Sequence, residues 1–178
     1  MNDQPTAATV DLPPPSNSTL PTARKGLSHS RSKQEGALSE ETTTAHVIET
    51  GESAFAVSIE VSGHGLVGDE PFAKGGNDLG PAPYDLLLAA LGECTAMTVR
   101  WYARQQNWPL DRVEVILTHA KGGVEGTSAK ADHFVKTIRI SGEDLTVEQR
   151  DKLIAVAVRC PVQRTLEGTP VITTHAFS

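Results

Sequence analysis

Cys94 and Cys160, the two cysteines of the chain, are the residues that suggest chemistry first. Cys94 lies in the apolar segment PYDLLLAALGECTAMTVRWYA, and Cys160 directly precedes a proline in AVAVRCPVQRTL. A thiol inside an apolar helix and a second thiol at a helix-ending Cys-Pro make the chain a candidate dithiol redox protein. Free cysteines also serve as small apolar side chains, so inert packing of either thiol stays open as an alternative.

The segment around Cys94 predicts the longest helix of the chain, over residues 83–106. Pro83 suits the first helical position, and the carboxylate of Asp85 complements the helix dipole in the first turn. Spacings of three and four residues place an apolar stripe on the same face as Cys94: Leu87, Leu91, Met97 and Trp101. The first turns are apolar on every side, which predicts burial all round, in part by a second copy of the chain.

Cys160 ends a second predicted helix, which begins with a capping box formed by Thr146 and Gln149. Leu153 and Ala157 share the face of Cys160, so both sulfurs are expected to point inward. Pro161 stops this helix and can start a short one, whose free amides favour a thiolate at Cys160. Strands are expected near residues 42–50, 55–61, 64–67, 113–117, 134–140 and 171–176, with a loop over 122–132. This order of elements predicts an α+β fold.

Composition limits the partners of the chain. The 178 residues carry a net charge of −6, which argues against nucleic acid as a partner, and no apolar run is long enough for a membrane helix. Absence of an apolar signal core predicts a cytoplasmic protein. Residues 1–42 have few large apolar side chains and predict a flexible extension, which leaves 43–178 as the domain. Neither metal-ligand spacing nor a phosphate-binding loop is present, so no metal and no cofactor is expected.

The stretch from GGNDLGPAPYDLLLAALGEC to CPVQRTLEGTPVITT closely resembles the OsmC/Ohr family, which comprises osmotically inducible protein C and the organic hydroperoxide resistance proteins. The similarity spans roughly residues 63–174. It rests on a Pro-x-Leu-Leu helix that carries Gly-x-Cys, followed by Cys-Pro-Val-x-Arg-Thr-Leu. The resemblance implies an OsmC-like fold, in which an antiparallel sheet surrounds a long central helix, and an intertwined homodimer with its active site at the subunit interface.

The same resemblance implies that Cys94 is the peroxidatic thiol and Cys160 the resolving thiol. An organic hydroperoxide would be the substrate and an external thiol the reductant. The substrate pocket is expected among Leu87, Leu91, Met97 and Trp101. Family members carry an activating glutamate ten residues before the first cysteine, where this chain has Tyr84 with Asp85 beside it.

A second activating residue of the family is an arginine in the amino-terminal hairpin, whereas this chain has no arginine between Arg31 and Arg100. Arg164, four residues after Cys160, is therefore the candidate for stabilising a thiolate. This departure favours two alternatives. One is a non-catalytic dimer that binds a small hydrophobic ligand, and the other is a thiol redox sensor that responds to oxidation without turnover.

Overall fold

The computed structural model describes residues 42–122 and 132–176. The predicted extension lies outside the described residues except for Thr42, and so does most of the predicted loop 122–132. The chain order of elements is β1 (Ala45–Glu49), β2 (Val57–Val61), β3 (His64–Gly68), a short 3₁₀ helix (Phe72–Lys74), α1 (Pro83–Gln105), β4 (Arg112–Ala120), β5 (His133–Ser141), α2 (Val147–Ala157) and α3 (Pro161–Glu167).

The strands form two antiparallel sheets. Strands β1, β2 and β3 pair in chain order, with Ile59 of β2 opposite Val47 on one side and Leu66 on the other. Strands β4 and β5 form a two-stranded sheet in which Val115 lies opposite Ile138. Along β5, half-buried and exposed residues alternate strictly, and the half-buried set is Phe134, Lys136, Ile138 and Ile140.

Helix α1 begins and ends at residues that the local chemistry selects. Pro83 occupies its first position, and the backbone amide of Ala82 donates to the Asp85 carboxylate at 3.0 Å, which caps the first turn. At the other end Asn107 adopts a left-handed φ of 53°, and the Trp108 amide donates to the Ala103 carbonyl at 2.9 Å. This is a Schellman ending, and it terminates the helix one residue earlier than the sequence pattern predicts.

Helices α2 and α3 follow without a strand between them. The predicted capping box is present, because the Gln149 amide donates to Thr146 Oγ1 and the Thr146 amide donates to Gln149 Oε1. The predicted strand over residues 171–176 is absent. Val171 is 92% exposed, and no described strand pairs with this segment. A high β propensity does not form a strand when there is no neighbouring strand to pair with.

The core lies between α1, α2 and the β4–β5 sheet. Val99 of α1 and Leu153 of α2 are fully buried, with smaller or flanking contributions from Ala103, Leu110, Leu145 and Ala157. Helix α1 contacts β4, α2 and α3, so these three elements pack on it. The molecule is therefore an α+β protein with antiparallel sheets, as predicted. Among the described helices, none combines the length and apolar character that crossing a membrane requires.

The approach to α1 is held by one buried carboxylate. Asp69 follows β3 and accepts hydrogen bonds from the Ser53 hydroxyl at 2.6 Å and from the amides of Glu70 and Asn77 at 2.8 and 2.9 Å. These bonds tie the turn before β2 to the glycine-rich loop that leads into α1. The loop is thus an ordered connection that sets where the helix starts.

Candidate functional site

Cys160 lies at the junction between α2 and α3, as the residue before the first turn of α3. Its side chain is completely buried, at 0% exposure. The hydroxyl of Thr95, on α1, donates to the Cys160 sulfur at 3.4 Å. The second predicted thiol position is therefore enclosed by three helices.

Cys94 lies on α1 next to Thr95, and its side chain is only partly buried. The backbone amide of Val162, in the first turn of α3, donates to the Cys94 sulfur at 3.5 Å. The Cys94 side chain also lies close enough to the Cys160 thiol to help lower its pKa, and both cysteines are free thiols. The fold thus brings together two residues that are 66 positions apart in the sequence, and Cys94 is the more accessible of the two.

Lys136 lies beside this pair and connects the surrounding elements. Its ammonium donates to Thr95 Oγ1 at 3.1 Å, to the Ala157 carbonyl at 2.9 Å and to Gln163 Oε1 at 2.7 Å. The Ala157 carbonyl belongs to the last turn of α2, where the helix dipole favours a cation. Because an ammonium has three donors, each one has an acceptor here.

Gln163 is itself oriented by α3. Its amide nitrogen donates to the Glu167 carboxylate at 2.7 Å, one helical turn further along. The amide oxygen is thereby left facing Lys136. A continuous set of polar contacts therefore runs from Glu167 through Gln163, Lys136 and Thr95 to the Cys160 sulfur.

These contacts set the direction in which the Cys160 thiol is perturbed. Burial acts to raise the pKa of Cys160, because it penalises the thiolate. The Thr95 hydroxyl, the Gln163 backbone amide, the Cys94 thiol and the Lys136 charge act in the opposite direction and together lower the pKa below its ordinary value of 9.0. The surroundings of the buried Cys160 sulfur therefore favour its thiolate.

A cleft of about 640 Å³ opens beside Lys136 and Gln163 of the polar network, while the two cysteines lie behind its lining residues. Its apolar walls come from Leu91, Phe134, Val158 and Leu166, and Lys136 and Gln163 form part of its polar lining. Such a cleft offers burial to an apolar group next to the thiol network.

The four apolar residues predicted to surround Cys94 lie in different places in the structure. Leu91 is buried and lines the cleft, and Leu87 is half-buried. Met97 and Trp101 are each 62% exposed and line a separate surface depression with Arg100 and Arg104. Within one chain, only Leu91 of the four contacts the cleft beside Lys136.

The predicted supporting residues occupy other positions. Asp85 caps α1, and Tyr84 stacks on His119 of β4 with ring centroids 4.6 Å apart, while its hydroxyl lies 3.5 Å from Asp132. Tyr84 is about 15 Å from Cys94 along the helix axis, at 1.5 Å per residue. Arg164 is exposed on α3. The cation beside Cys160 in the structure is Lys136.

Sequence reasoning did not select Lys136, although a signal for it exists. In β5 the period of two places Lys136 in phase with Phe134, Ile138 and Ile140, which form the inward face. A single lysine in the apolar phase of a strand needs a buried partner, since an unpaired charge there is costly. The alternation along β5 therefore singles out Lys136 in the sequence. Its proximity to Cys160 is known only from the three-dimensional structure.

Metal ligation is not part of this arrangement in the described ranges. Within residues 42–122 and 132–176, no group of three or more His, Cys, Asp or Glu side chains is placed to hold a metal ion.

Comparison with known proteins gives one sequence family and several structures. The sequence profile of the family described as OsmC-like protein matches residues 75–175. The OsmC like protein from Mycoplasma pneumoniae superposes with a TM-score of 0.58 at 16% identity, over 72% of this chain and 89% of that one. An organic hydroperoxide resistance protein OsmC from Legionella pneumophila gives 0.53 at 20% identity, over 75% and 93%.

An OsmC-like protein of unknown function from Vibrio cholerae gives a TM-score of 0.55 at 17% identity, over 71% of this chain and 94% of that one. No curated protein sequence matches the chain significantly. At these identities the structural matches establish a common fold.

Proposed function

The chain belongs to the OsmC-like protein family, and we propose that it reduces organic hydroperoxides through a Cys94–Cys160 dithiol. The observation that carries the proposal is the crossed set of hydrogen bonds at the two thiols. Thr95, next to Cys94 on α1, donates to the Cys160 sulfur, and the amide of Val162, two residues after Cys160, donates to the Cys94 sulfur. The accessible sulfur belongs to Cys94 and the buried one to Cys160. Support also comes from the Legionella protein of the same fold, which is called an organic hydroperoxide resistance protein.

The proposed reaction starts at Cys94, because its sulfur is the one that a peroxide can reach. The Cys94 sulfur loses its proton as it attacks the outer oxygen of the hydroperoxide, the O–O bond breaks, and the alkoxide leaves as an alcohol after taking a proton. Cys94 is thereby oxidised to a sulfenic acid. Cys160 then attacks the Cys94 sulfur, and water leaves as the disulfide forms.

An external thiol completes the cycle. Two equivalents of a small thiol, or one dithiol, reduce the disulfide by exchange through a mixed disulfide and are themselves oxidised to a disulfide. Overall, one hydroperoxide and two thiols give one alcohol, one water and one disulfide. No cofactor is required for this balance.

The proposed substrate class follows from the cleft. Apolar surface that leaves water gains about 25 cal/mol per Å², and Leu91, Phe134, Val158 and Leu166 offer such surface to an alkyl or aryl tail. Hydrogen peroxide has no tail to bury. We therefore infer a preference for bulky organic hydroperoxides over hydrogen peroxide.

The test is peroxide consumption in the presence of excess dithiothreitol, with cumene hydroperoxide and hydrogen peroxide compared for the whole chain. Cys94→Ser should abolish consumption of both peroxides, because the attacking sulfur is lost. Cys160→Ser should retain the first oxidation and form a sulfenic acid on Cys94. Since the chain has only two cysteines, each variant leaves one thiol to follow.

Consumption that is equal for wild type and Cys94→Ser would exclude the proposed reaction. If dimedone labels no sulfenic acid in Cys160→Ser, the proposed order of the two thiols is wrong. A wild-type protein that binds apolar ligands without consuming peroxide would favour the ligand-binding alternative. Formation of the disulfide without repeated turnover would favour the redox sensor.

We also propose that the working form is a homodimer. Met97 and Trp101 of α1 and Val47 and Ile48 of β1 are each more than half exposed in the single chain, and exposed apolar patches mark surfaces at which proteins associate. A second copy that covers α1 would remove this surface from water. Residues from a partner could then complete the surroundings of Cys94.

A further inference from the structure

Lys136 is fully engaged by the protein itself. Its three donors reach one acceptor each on α1, α2 and α3, namely Thr95, Ala157 and Gln163. A lysine with every donor occupied has none left for a substrate anion. Its effect on chemistry must therefore come from its charge and from the groups that it holds.

Thr95 is the group that links Lys136 to sulfur. Its hydroxyl oxygen accepts from Lys136, which leaves its single hydrogen to be donated either to the Leu91 carbonyl at 2.7 Å or to the Cys160 sulfur at 3.4 Å. A thiolate accepts a hydrogen bond more strongly than a thiol does. Deprotonation of Cys160 therefore favours donation towards sulfur.

We propose that Lys136 is a positioning residue which, through Thr95, holds Cys160 as the thiolate of the reduced pair, and that this thiolate accepts the proton of Cys94. The first half of this inference concerns the reduced protein alone. The second half rests on the proposed function, because it assigns the base for the attack on the peroxide.

Each proton in the attack of Cys94 on the peroxide has a donor and an acceptor. As the Cys94 sulfur bonds to the outer peroxide oxygen, its proton passes to the Cys160 thiolate. The departing alkoxide then takes that proton and leaves as the alcohol. Cys160 is again a thiolate, ready to attack the sulfenic acid on Cys94, and the hydroxide released in that attack takes a proton from solvent to form water.

The surroundings of Cys160 support this assignment. The charged or titratable groups that act on it are Cys94 from α1 and Lys136 from β5, while α3 contributes the Gln163 amide and, through Gln163, Glu167. The positive charge of Lys136 and the donors at the sulfur lower the pKa of Cys160 against the effect of burial. Arg164, the candidate from sequence, is exposed and makes no side-chain hydrogen bond among the described contacts.

The experiment is a pH titration of thiolate ultraviolet absorbance in the reduced full-length chain. Absorbance is suitable because Cys160 is buried and an alkylating reagent would report access as well as ionisation. Cys94→Ser should retain a transition below pH 9.0, the ordinary thiol value, and the double variant Cys94→Ser/Cys160→Ser should lose it. In the Cys94→Ser protein, Lys136→Met should move the transition upward by about one pH unit, because a cation near the thiolate is removed.

Three further variants separate positioning from folding. Lys136→Arg keeps the positive charge, so the pH of its transition should lie close to that of the Cys94→Ser protein. Thr95→Val removes the connecting hydroxyl and should raise the pH of the transition. Lys152→Met removes an exposed lysine of α2 and should leave it unchanged. Thermal melting of each variant identifies any that fails to fold, and Thr95→Val then carries the test in place of Lys136→Met.

The outcomes distinguish this inference from the proposed function. If the transition stays in place in Lys136→Met and Thr95→Val while the wild type consumes peroxide, Lys136 has no positioning role and the proposed function stands. If the transition moves as expected but no peroxide is consumed, the thiolate assignment holds and the proposed function fails. If both hold, Lys136→Met should also slow peroxide consumption about tenfold, in line with the lost ionisation.

Discussion

At the scale of single residues, Cys160 links the chemistry of the site to the stability of the fold. Its pKa is lowered in the folded state, since the contributions of Thr95, Gln163, Cys94 and Lys136 outweigh the effect of burial. A group with a depressed pKa stabilises the folded state fully above its unfolded pKa, and this contribution disappears as the pH falls through its folded pKa. The reduced protein should therefore gain stability from Cys160 as the pH rises to 9.0.

The expected gain is about 1.4 kcal/mol for each unit by which the pKa is lowered. It can be measured by urea unfolding of the reduced wild type and of Cys160→Ser at a series of pH values. The difference between the two free energies of unfolding should increase with pH up to 9.0 and then level off. A difference that does not change with pH would mean that folding leaves the Cys160 pKa unperturbed.

The sequence identified both thiols but not the group that serves them. Cys94 and Cys160 stand out because cysteine is rare in this chain and each lies at a recognisable helix position. Lys136 lies 24 residues before Cys160 on a strand, and it comes near Cys160 only because β5 packs so that Lys136 bonds to Ala157 of α2 and Gln163 of α3. Arg164 is near Cys160 in sequence, but its side chain is exposed. Local spacing therefore pointed to Arg164, whereas the cation whose charge acts on Cys160 in the structure is Lys136.

At the scale of elements, local capping chemistry predicted where the helices begin. Pro83 with Asp85, and Thr146 with Gln149, satisfy helix amides within a few residues, so their signals are readable from sequence. Strand signals are weaker because a strand needs a partner. The residues at 171–176 have the composition of a strand but no described partner, and they remain outside both sheets.

The loop that leads into α1 offers a sharp test of element packing. A Cβ on Gly80 would collide with the backbone carbonyl of Val67, which cannot move without disturbing β3. Gly80→Ala should therefore lower the free energy of unfolding by about 3 kcal/mol, the upper end of ordinary overpacking costs. Urea unfolding measures this loss.

The matched control is Gly65→Ala, on β3 itself. A Cβ there meets no atom within 4 Å, so the substitution should change stability little. Equal stability of the Gly80→Ala protein and the wild type would show that the loop is free to rearrange. The start of α1, and with it the position of Cys94, would then be less firmly held than the contacts of Asp69 indicate.

At the scale of the whole molecule, the open question is how the exposed face of α1 is covered. Burial of this helix on all sides was expected from its apolar sequence, but Met97 and Trp101 are exposed in one chain. A sequence cannot tell whether an apolar face meets its own chain or a second copy. The proposed homodimer assigns this face to a partner.

Sedimentation of the purified protein at micromolar concentration tests that assignment. The wild type should be a dimer, and Trp101→Glu should weaken it, because a carboxylate would be buried where an apolar side chain packs. Val147→Glu, at a similarly exposed position on α2, should remain a dimer. A monomeric wild type, or a Trp101→Glu dimer of unchanged affinity, would contradict the proposed interface.

The central claim is that Cys94 and Cys160 act together on a hydroperoxide, and intact-mass measurement tests it most directly. After one equivalent of cumene hydroperoxide, the reduced wild type should lose the mass of two hydrogen atoms, as a disulfide forms within the chain. Cys160→Ser should gain one oxygen atom on Cys94, and Cys94→Ser should stay unmodified. Oxidation of both single-cysteine variants at the same slow rate, with no disulfide in the wild type, would contradict the account.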